Sequence, residues 1–153
     1  MKIIFLDIDG VLNSRLYDLK RGENDGNIDQ SRLVLLKQLV DKTGAKIVLT
    51  TSWRRHWDPS GKNTDEIGKE LEATFLQCGL QLYDRTDEID GVRAKEVEEW
   101  LSAHTDVESF VIFDDIKFGW GRLDENAVKT DYRIGLGIEE KHIEKALEIL
   151  TRG

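Results

Sequence analysis

The sequence predicts a three-layer α/β fold built on a mostly parallel sheet of about five strands. Two observations support this fold class. Short, continuous apolar runs recur along the 153 residues, and segments with apolar residues at helical spacing lie between most of them. Such runs are typical of parallel strands that helices cover on both faces. Because a chain of this length can bury a substantial core, residues 1–153 are expected to form a single domain.

Five short apolar segments are predicted to be strands, at residues 3–6, 45–51, 80–83, 110–113 and 127–130. Four longer segments have the 3.6-residue spacing of a helix, at residues 29–43, 64–78, 93–104 and 139–151. Asp29 and Thr64 are predicted to cap the first two helices, and Gly44 to end the first. The polar segment 14–28 is rich in turn-forming residues, so we expect a loop or small hairpin over the end of the first strand.

The composition is that of an ordinary globular protein, and it narrows the range of partners. A formal net charge of -8 disfavours broad, non-specific attraction to nucleic acid or to an anionic membrane, although a small local basic site is compatible with it. No apolar segment is long enough to cross a bilayer and no signal-peptide pattern is present, so we expect a cytoplasmic protein without membrane association. Cys78 is the single cysteine, which excludes an internal disulfide and a thiolate metal cluster. The sequence gives no sign of an obligate protein partner.

Side chains with reactive chemistry follow the predicted strands. Asp7 and Asp9 end the first strand and share a face if the chain stays extended, and Gly10 then permits a sharp turn. In parallel α/β sheets, ligands bind at the carboxyl ends of the strands. The other polar groups near these ends are Thr50, Thr51, Ser52, Asp114 and Asp115, with Arg93 and Lys95 opening the helix before the fourth strand.

This set of residues predicts a phosphoryl-transfer site that contains magnesium. Several carboxylates in one small pocket repel one another unless a cation lies among them, and hard oxygen ligands favour Mg²⁺. A metal-bound carboxylate can attack a phosphoryl group, and a second carboxylate two residues away can protonate the leaving oxygen. A hydroxyl and a cation can hold the phosphoryl oxygens. The expected metal ligands are Asp7, Asp9, Asp114 and Asp115.

Simpler interpretations exist for each part of this set. Calcium loops also contain an Asp-x-Asp pattern, but their glycine stands at the sixth position, which does not match Gly10. The pair Asp114 and Asp115 would be a solvated turn if it stood alone. Arg93 and Lys95 each suit a surface position at a helix start, although a cation there opposes the helix dipole. The ordered combination of all the parts favours the phosphoryl-transfer site.

Four motifs in this order resemble the haloacid dehalogenase (HAD) superfamily, whose phosphatases form an aspartyl-phosphate intermediate. The motifs are FLDIDG, IVLTTS, the cation of GVRAKEVEEWL, and FVIFDD. More narrowly, DIDGVLN, TTSWR, the aspartate pair and KTDYRIGL resemble a small bacterial and phage branch that includes the phosphatase modules of RNA-repair proteins. The resemblance covers nearly the whole chain and implies a Rossmann-like fold of the HAD type.

The resemblance also implies roles for the four carboxylates. Asp7 would be the nucleophile and a Mg²⁺ ligand. Asp9 would be the general acid and base, with its backbone carbonyl on the metal. Asp115 falls where the superfamily has its usual direct metal ligand, and Asp114 occupies a place often held by glycine. Because dehalogenases lack the second aspartate of the first motif, Asp9 argues for a phosphatase.

Roles follow in the same way for the hydroxyl and cationic side chains. Thr51, with Thr50 as the alternative, would bind the transferring phosphoryl group, and Ser52 is a further candidate for binding substrate. The cation of the third motif would be Arg93 or Lys95, and the spacing from the first apolar residue of the helix favours Arg93. Lys95 is then expected to contact substrate.

The basic stretch after the second motif is predicted to contact substrate through Arg54. A guanidinium group can bind a second phosphate or a ribose-phosphate backbone, and a solvated basic loop is the alternative interpretation. Trp53 and Trp57 lie among these cations. We expect both rings to pack beneath the loop rather than to stack on a base.

The superfamily often inserts a cap domain after the first motif or between the second and third. Here the first gap holds only a short flap at about residues 13–28, and residues 53–92 suffice for one helix and one strand, so we expect no cap and an open site. An open site suits large or extended phosphorylated substrates such as nucleic-acid ends. The predicted function is therefore Mg²⁺-dependent hydrolysis of phosphomonoesters. The alternatives are a 5'-nucleotidase acting on small (deoxy)nucleotides, and a phospho-accepting or Mg²⁺-binding module without turnover.

Overall fold

The computed structural model describes residues 1–116 and 119–152. The strands are β1 (Lys2–Leu6), β2 (Lys46–Leu49), β3 (Leu82–Arg85), β4 (Ser109–Asp114) and β5 (Ala127–Lys129). They form one sheet in the order β3, β2, β1, β4, β5, and every neighbouring pair is parallel. The predicted α/β class is confirmed, and β1 lies at the centre of the sheet.

The helices of the described ranges are α1 (Arg15–Arg21), α2 (Gln30–Thr43), α3 (Glu66–Gln77), α4 (Arg93–Ala103) and α5 (Glu140–Thr151). Two short 3₁₀ helices, Ser52–His56 and Gly121–Asn126, follow β2 and β4. Asp29 caps α2 and Gly44 ends it with a positive φ of 69°, as predicted. The cap of α3 is Asp65 rather than Thr64, because the hydroxyl of Thr64 accepts a hydrogen bond from the backbone N–H of Asp58 instead.

Two elements differ from the sequence prediction. The flap predicted as a loop or hairpin contains helix α1, which Ser14 caps and Gly22 ends. A helix of seven residues is too short to show a clear apolar period, so no helical signal is present there. Strand β3 starts two residues later than predicted, because the backbone N–H of Leu80 still bonds to the Phe75 carbonyl in the turn that ends α3.

Alternation along β1 sends side chains into two cores, one on each face of the sheet. Ile4 and Leu6 pack with buried residues of α2, α3 and α5. Ile3 and Phe5 pack on the other face, with buried residues of α4 and of the second 3₁₀ helix. The layers are therefore helix, sheet and helix. Asp7 is the next residue on the α4 side of the sheet.

The carboxyl end of the sheet carries short elements in the described ranges rather than a cap domain. Helix α1 is the regular element between β1 and α2, and a 3₁₀ helix, α3 and β3 fill the chain between β2 and α4. This agrees with the predicted capless arrangement. None of the described helices combines the length and apolar character needed to span a membrane.

Candidate active site

A buried polar residue lies at the carboxyl end of every strand. In the order of the sheet these residues are Thr86, Thr50, Asp7, Asp114 and Thr130. Backbone hydrogen bonds of 2.9–3.1 Å continue the sheet at this level, for example from the N–H of Asp7 to the carbonyl of Phe113. The sheet itself therefore fixes the spacing within this strand-end row.

Three members of the strand-end row are directed toward α4. Asp7, Thr50 and Asp114 each follow, two residues later, an apolar residue of the core on the α4 side. Side chains two apart along an extended chain share a face. Arg93 is the first residue of α4 and meets the two aspartates there.

Asp7 occupies the centre of the row. It is 5% exposed, and its Oδ1 accepts a 2.9 Å hydrogen bond from the backbone N–H of Ile8. Burial raises the pKa of the Asp7 carboxyl above its ordinary value, although the positive charge of Arg93 opposes the shift. The carboxylates of Asp115 and Asp9 raise this pKa further. A further cation beside Asp7 would therefore favour its ionised form.

Asp114 and Asp115 form an acid cluster with Asp7. One carboxylate oxygen of each residue lies within 4.8 Å of the other two. Burial, and then the charge of Asp7, raises the pKa of Asp114 to about 7. Three hard oxygen donors this close together, two of them in surroundings that disfavour their negative charge, fit a divalent cation such as Mg²⁺. Three of the four predicted metal ligands are thus brought together, and the side chain of Asp9 lies outside the cluster.

Of the two cations at the start of α4, the structure places Arg93 against the acids. Its Nη1 lies 2.8 Å from Asp114 Oδ2 and 3.4 Å from Asp7 Oδ1. Lys95 points elsewhere, with 61% of its side chain exposed and its Nζ 3.9 Å from Asp90. The geometry therefore favours Arg93 as the cation of the third motif.

The loop after β1 leaves the side chain of Asp9 outside the acid cluster. Asp9 is exposed, and its Oδ1 accepts a 3.0 Å hydrogen bond from Nδ2 of Asn13. Asn13 is buried; its Oδ1 accepts from the N–H of Gly10 at 2.8 Å, and its Nδ2 also donates to the Gly26 carbonyl at 2.7 Å. One side chain thus closes the turn and orients Asp9. Sequence reasoning missed this role, although Asn13 belongs to the segment DIDGVLN on which the resemblance rests.

Gly10 and Thr130 join the first motif to the last strand. Gly10 has a φ of 82°, and any Cβ at this position would clash with the carboxylate of Asp115. Its carbonyl accepts a 2.6 Å hydrogen bond from Oγ1 of Thr130. The sequence analysis did not predict a role for Thr130 in the site, and the signal that could have found it is a hydroxyl at the end of the fifth apolar segment.

The three hydroxyl residues after β2 differ in what they bind. Thr50 Oγ1 is buried and has no hydrogen-bond partner among the described residues. Thr51 Oγ1 accepts a 3.4 Å hydrogen bond from the N–H of Trp53 and so caps the 3₁₀ helix. Ser52 is exposed. Thr50 therefore has unused hydrogen-bonding capacity on the α4 side, where the acids lie.

Arg54 does not present its guanidinium to solvent. Its Nη2 lies 3.0 Å from Oε2 of Glu96, and the two side chains are 5% and 2% exposed. This burial favours a structural role for Arg54 over the predicted contact with substrate. The 3₁₀ helix turns Arg54 inward while Arg55 stays exposed, and a helix of five residues leaves no periodic signal in the sequence.

The two tryptophans near this helix pack beneath the loop, as predicted. Trp57 is almost fully buried in the core that includes α2 and α3. Trp53 is partly buried against the same core and lines a cleft of about 530 Å³ together with Tyr17 and Ile67. Both rings therefore pack against the core and do not form an open platform for stacking on a base.

The parallel sheet, the acid cluster at its carboxyl end and the arginine from the preceding helix together define a hydrolase of the HAD type. Over residues 3–141 the chain matches the family described as "HAD domain in Swiss Army Knife RNA repair proteins". The chain belongs to this family, which confirms the resemblance drawn from the four motifs. Membership makes the protein a phosphatase-type hydrolase related to RNA-repair modules. Neither a curated protein nor a solved structure gives a match.

Proposed function

We propose that the protein is a Mg²⁺-dependent phosphatase that hydrolyses phosphomonoesters through an aspartyl-phosphate intermediate on Asp7. The observation that carries this proposal is the surroundings of Asp7. Arg93 and the carboxylates of Asp114 and Asp115 lie around it, and the exposed Asp9 stands two residues away. This arrangement supplies a nucleophile, a group for the phosphoryl oxygens and a proton donor for the leaving group.

In the first step, a carboxylate oxygen of Asp7 forms a bond to phosphorus while the bond from phosphorus to the leaving oxygen breaks. Protonated Asp9 gives its proton to that oxygen, so the product leaves as a neutral alcohol. Arg93 donates hydrogen bonds to the phosphoryl oxygens as negative charge shifts among them. The 3.0 Å hydrogen bond from Asn13 keeps the carboxylate of Asp9 in place for this transfer.

In the second step, Asp9 is a carboxylate and takes a proton from a water molecule whose oxygen attacks phosphorus. The bond between phosphorus and the Asp7 oxygen breaks, which releases inorganic phosphate and restores the Asp7 carboxylate. Asp9 ends the cycle protonated, as it began. Because the same residue acts first as acid and then as base, its exposure to solvent suits both steps.

Asp7, Asp114 and Asp115 would hold the Mg²⁺, with the backbone carbonyl of Asp9 as a further oxygen ligand. When bound, Mg²⁺ supplies positive charge that stabilises the ionised carboxylates and the phosphoryl oxygens. The raised pKa values of Asp7 and Asp114 support this assignment, since a cation relieves the burial of uncompensated negative charge.

The hydroxyl that binds the phosphoryl group is assigned to Thr51 or Thr50. The resemblance to the family favours Thr51. The unpartnered Oγ1 of Thr50 and its position beside Asp7 in the strand-end row support Thr50. Ser52 is exposed at the start of the 3₁₀ helix and is retained as a further substrate contact.

An extended anionic substrate, such as a phosphorylated nucleic-acid end, fits the surroundings of the site. A cleft of about 570 Å³ adjoins Asp115 and is lined in part by Lys129, Tyr132 and Arg133. The same cleft holds two carboxylates, Asp115 and Asp131, and its two cations are the groups in it that can bind a further phosphate. These cations support a substrate that carries negative charge beyond the phosphoryl group being transferred.

The substitution Asp7→Asn tests the proposed chemistry. It is expected to abolish turnover of an aryl phosphate in Mg²⁺ while circular dichroism and thermal unfolding stay close to wild type. Asp41→Asn, on the exposed side of α2, is the matched control and should retain activity. Undiminished activity of the Asp7 variant would refute the proposal. A long-lived phosphate on Asp7 without release would indicate the module without turnover.

A substrate panel in Mg²⁺ separates extended from small substrates. We expect 3'-phosphorylated oligonucleotides to be hydrolysed with a higher kcat/KM than 5'-nucleotides. Arg133→Ala should lower the ratio of these two values, because Arg133 lines the cleft beside Asp115. A preference for 5'-nucleotides that Arg133→Ala leaves unchanged would support the 5'-nucleotidase instead.

A further inference from the structure

A buried polar network connects β2, β3 and α4 beside the strand-end row. Arg54 Nη2 pairs with Glu96 Oε2 at 3.0 Å. Arg54 Nη1 donates to the Thr50 carbonyl at 2.5 Å and to Thr86 Oγ1 at 3.1 Å. Glu96 Oε2 also accepts a 2.9 Å hydrogen bond from the N–H of Ile89. One ion pair thus ties the ends of two strands to the first turns of α4 and to the loop before it.

The same ion pair lies next to two groups that the proposed reaction uses. Glu96 follows Arg93 by three residues on α4, so both side chains lie on one side of the helix. Thr50, whose carbonyl Arg54 holds, carries the unpartnered hydroxyl of the strand-end row. Arg54 and Glu96 therefore link the cation of the site to its candidate hydroxyl.

The start of α4 depends on tertiary contacts. Its N-cap residue, Val92, makes no side-chain hydrogen bond to the helix. Arg93 follows at the first position, where a positive charge opposes the helix dipole. Glu96 brings a negative charge into the first turn and connects this turn to Arg54. The ion pair thus fixes a helix start that local sequence leaves weakly defined.

Stability alone does not account for the ion pair. Arg54 Nε and Glu96 Oε1 are buried and have no hydrogen-bond partner among the described residues. Unpaired buried polar atoms are unfavourable, and a buried ion pair can often be replaced by apolar residues without loss of stability. These features are typical of a network that holds β2, β3 and α4 in a defined arrangement rather than one that adds stability.

We propose that Arg54 and Glu96 are positioning residues for the phosphatase reaction. Their ion pair holds the first turns of α4 against the ends of β2 and β3, so that Arg93 reaches Asp7 and Asp114. Neither residue touches the reacting atoms, and both act through Arg93 and through the backbone of Thr50. The catalytic part of this proposal rests on the phosphatase function proposed above.

The double variant Arg54→Met/Glu96→Leu tests the proposal by replacing both charges with apolar side chains of similar size. We expect a folded protein with about a 100-fold lower kcat on an aryl phosphate, because a small misplacement of a catalytic group has this effect. Arg122→Met/Glu98→Leu is the matched control, since it removes a more exposed ion pair of 3.0 Å between α4 and the second 3₁₀ helix. It should keep the wild-type kcat. A folded Arg54/Glu96 double variant with wild-type kcat would overturn the proposal.

A second measurement separates positioning from a general effect on the fold. Arg93→Ala is introduced into the wild type and into the double variant, and kcat is compared within each background. Positioning predicts a large loss in the wild type and at most about a threefold further loss in the double variant, because both changes disable the same group. Equal fold losses in the two backgrounds would contradict the proposal.

Two outcomes of these experiments each require a further measurement. If the double variant does not fold, Glu96→Gln keeps the shape and removes the charge; a lower kcat at unchanged KM is expected, and an unchanged kcat would overturn the proposal. If the wild type hydrolyses no phosphomonoester, the proposed function fails, and NMR of the Arg93 side chain still tests the positioning. The Nη1 protons that bond to Asp114 should exchange slowly in the wild type and faster in the double variant, and equal exchange rates would refute the positioning role.

Discussion

Arg93 and Arg54 both pair with buried carboxylates on the α4 side of the sheet, but they differ in exposure and charge balance. The side chain of Arg93 is 25% exposed, and the cluster it faces includes Asp7, Asp114 and Asp115. Arg54 is 5% exposed and pairs with one buried carboxylate, Glu96. The first arrangement leaves negative charge for a metal and an opening for a ligand. The second arrangement is balanced in charge and closed to solvent. Exposure and charge balance, more than residue type, therefore distinguish Arg93 in the site from Arg54 beside it.

The largest effect on stability is expected for Arg54→Ala. Removing the arginine leaves the carboxylate of Glu96 buried and unpaired, which should lower the free energy of unfolding by about 3–5 kcal/mol. Urea unfolding followed by circular dichroism measures this change. Arg122→Ala removes an exposed partner of Glu98 and should have little effect. Equal losses in the two variants would remove the distinction between the buried and the exposed pair.

The largest effect on activity among the cations is expected for Arg93→Ala. Losing the donor that faces the phosphoryl oxygens should lower kcat/KM on an aryl phosphate by about 10²–10³-fold. Lys95→Ala is the comparison, because Lys95 is exposed beside Asp90 and should change kcat/KM far less. A larger loss for Lys95→Ala would make Lys95 the cation of the third motif.

The acid cluster should make the stability of the metal-free protein depend on pH. The pKa of Asp114 is about 7 in the folded state against 3.8 for an ordinary aspartate, and the pKa of Asp7 is raised as well. The folded state thus binds more protons than the unfolded state between about pH 4 and 7, so stability falls as pH rises through this window. In EDTA the Tm should be lower at pH 8 than at pH 5.

Two controls belong to this pH experiment. Saturating Mg²⁺ should raise the Tm most at pH 8, because the ionised carboxylates bind the cation and stabilise the folded state. Asp114→Asn should reduce the pH dependence measured in EDTA, since it removes the group with the raised pKa. A Tm in EDTA that stays constant from pH 5 to 8 in the wild type would contradict the charge imbalance inferred for the cluster.

The smallest effects are expected for the two threonines after β2. Thr51→Val removes the cap of the 3₁₀ helix and should lower the free energy of unfolding by about 1 kcal/mol. Thr50→Val removes a hydroxyl without a described partner, so stability should stay near wild type. If Thr50 binds the phosphoryl group, its variant should still lose activity. A loss of activity confined to Thr51→Val would assign the phosphoryl contact to Thr51.

The fold and the acid cluster could be predicted because their determinants are local. Apolar runs marked the strands to within about two residues. Asp7, Asp114 and Asp115 follow those runs directly, and parallel strands bring their carboxyl ends to one edge of the sheet. Helix α1 and the inward orientation of Arg54 were not predicted, because both depend on helices too short to show an apolar periodicity in the sequence.

The sequence by itself determined the order of the strands and of the longer helices, the family and the aspartates at the ends of β1 and β4. These properties depend on side-chain spacing along the chain, which the sequence states directly. The tertiary structure alone placed Arg93 rather than Lys95 against the acids, buried Arg54 and brought Asn13 into contact with Asp9. These placements depend on the face that each helix or loop presents to the ends of the strands. Contacts between distant parts of the chain determine that face.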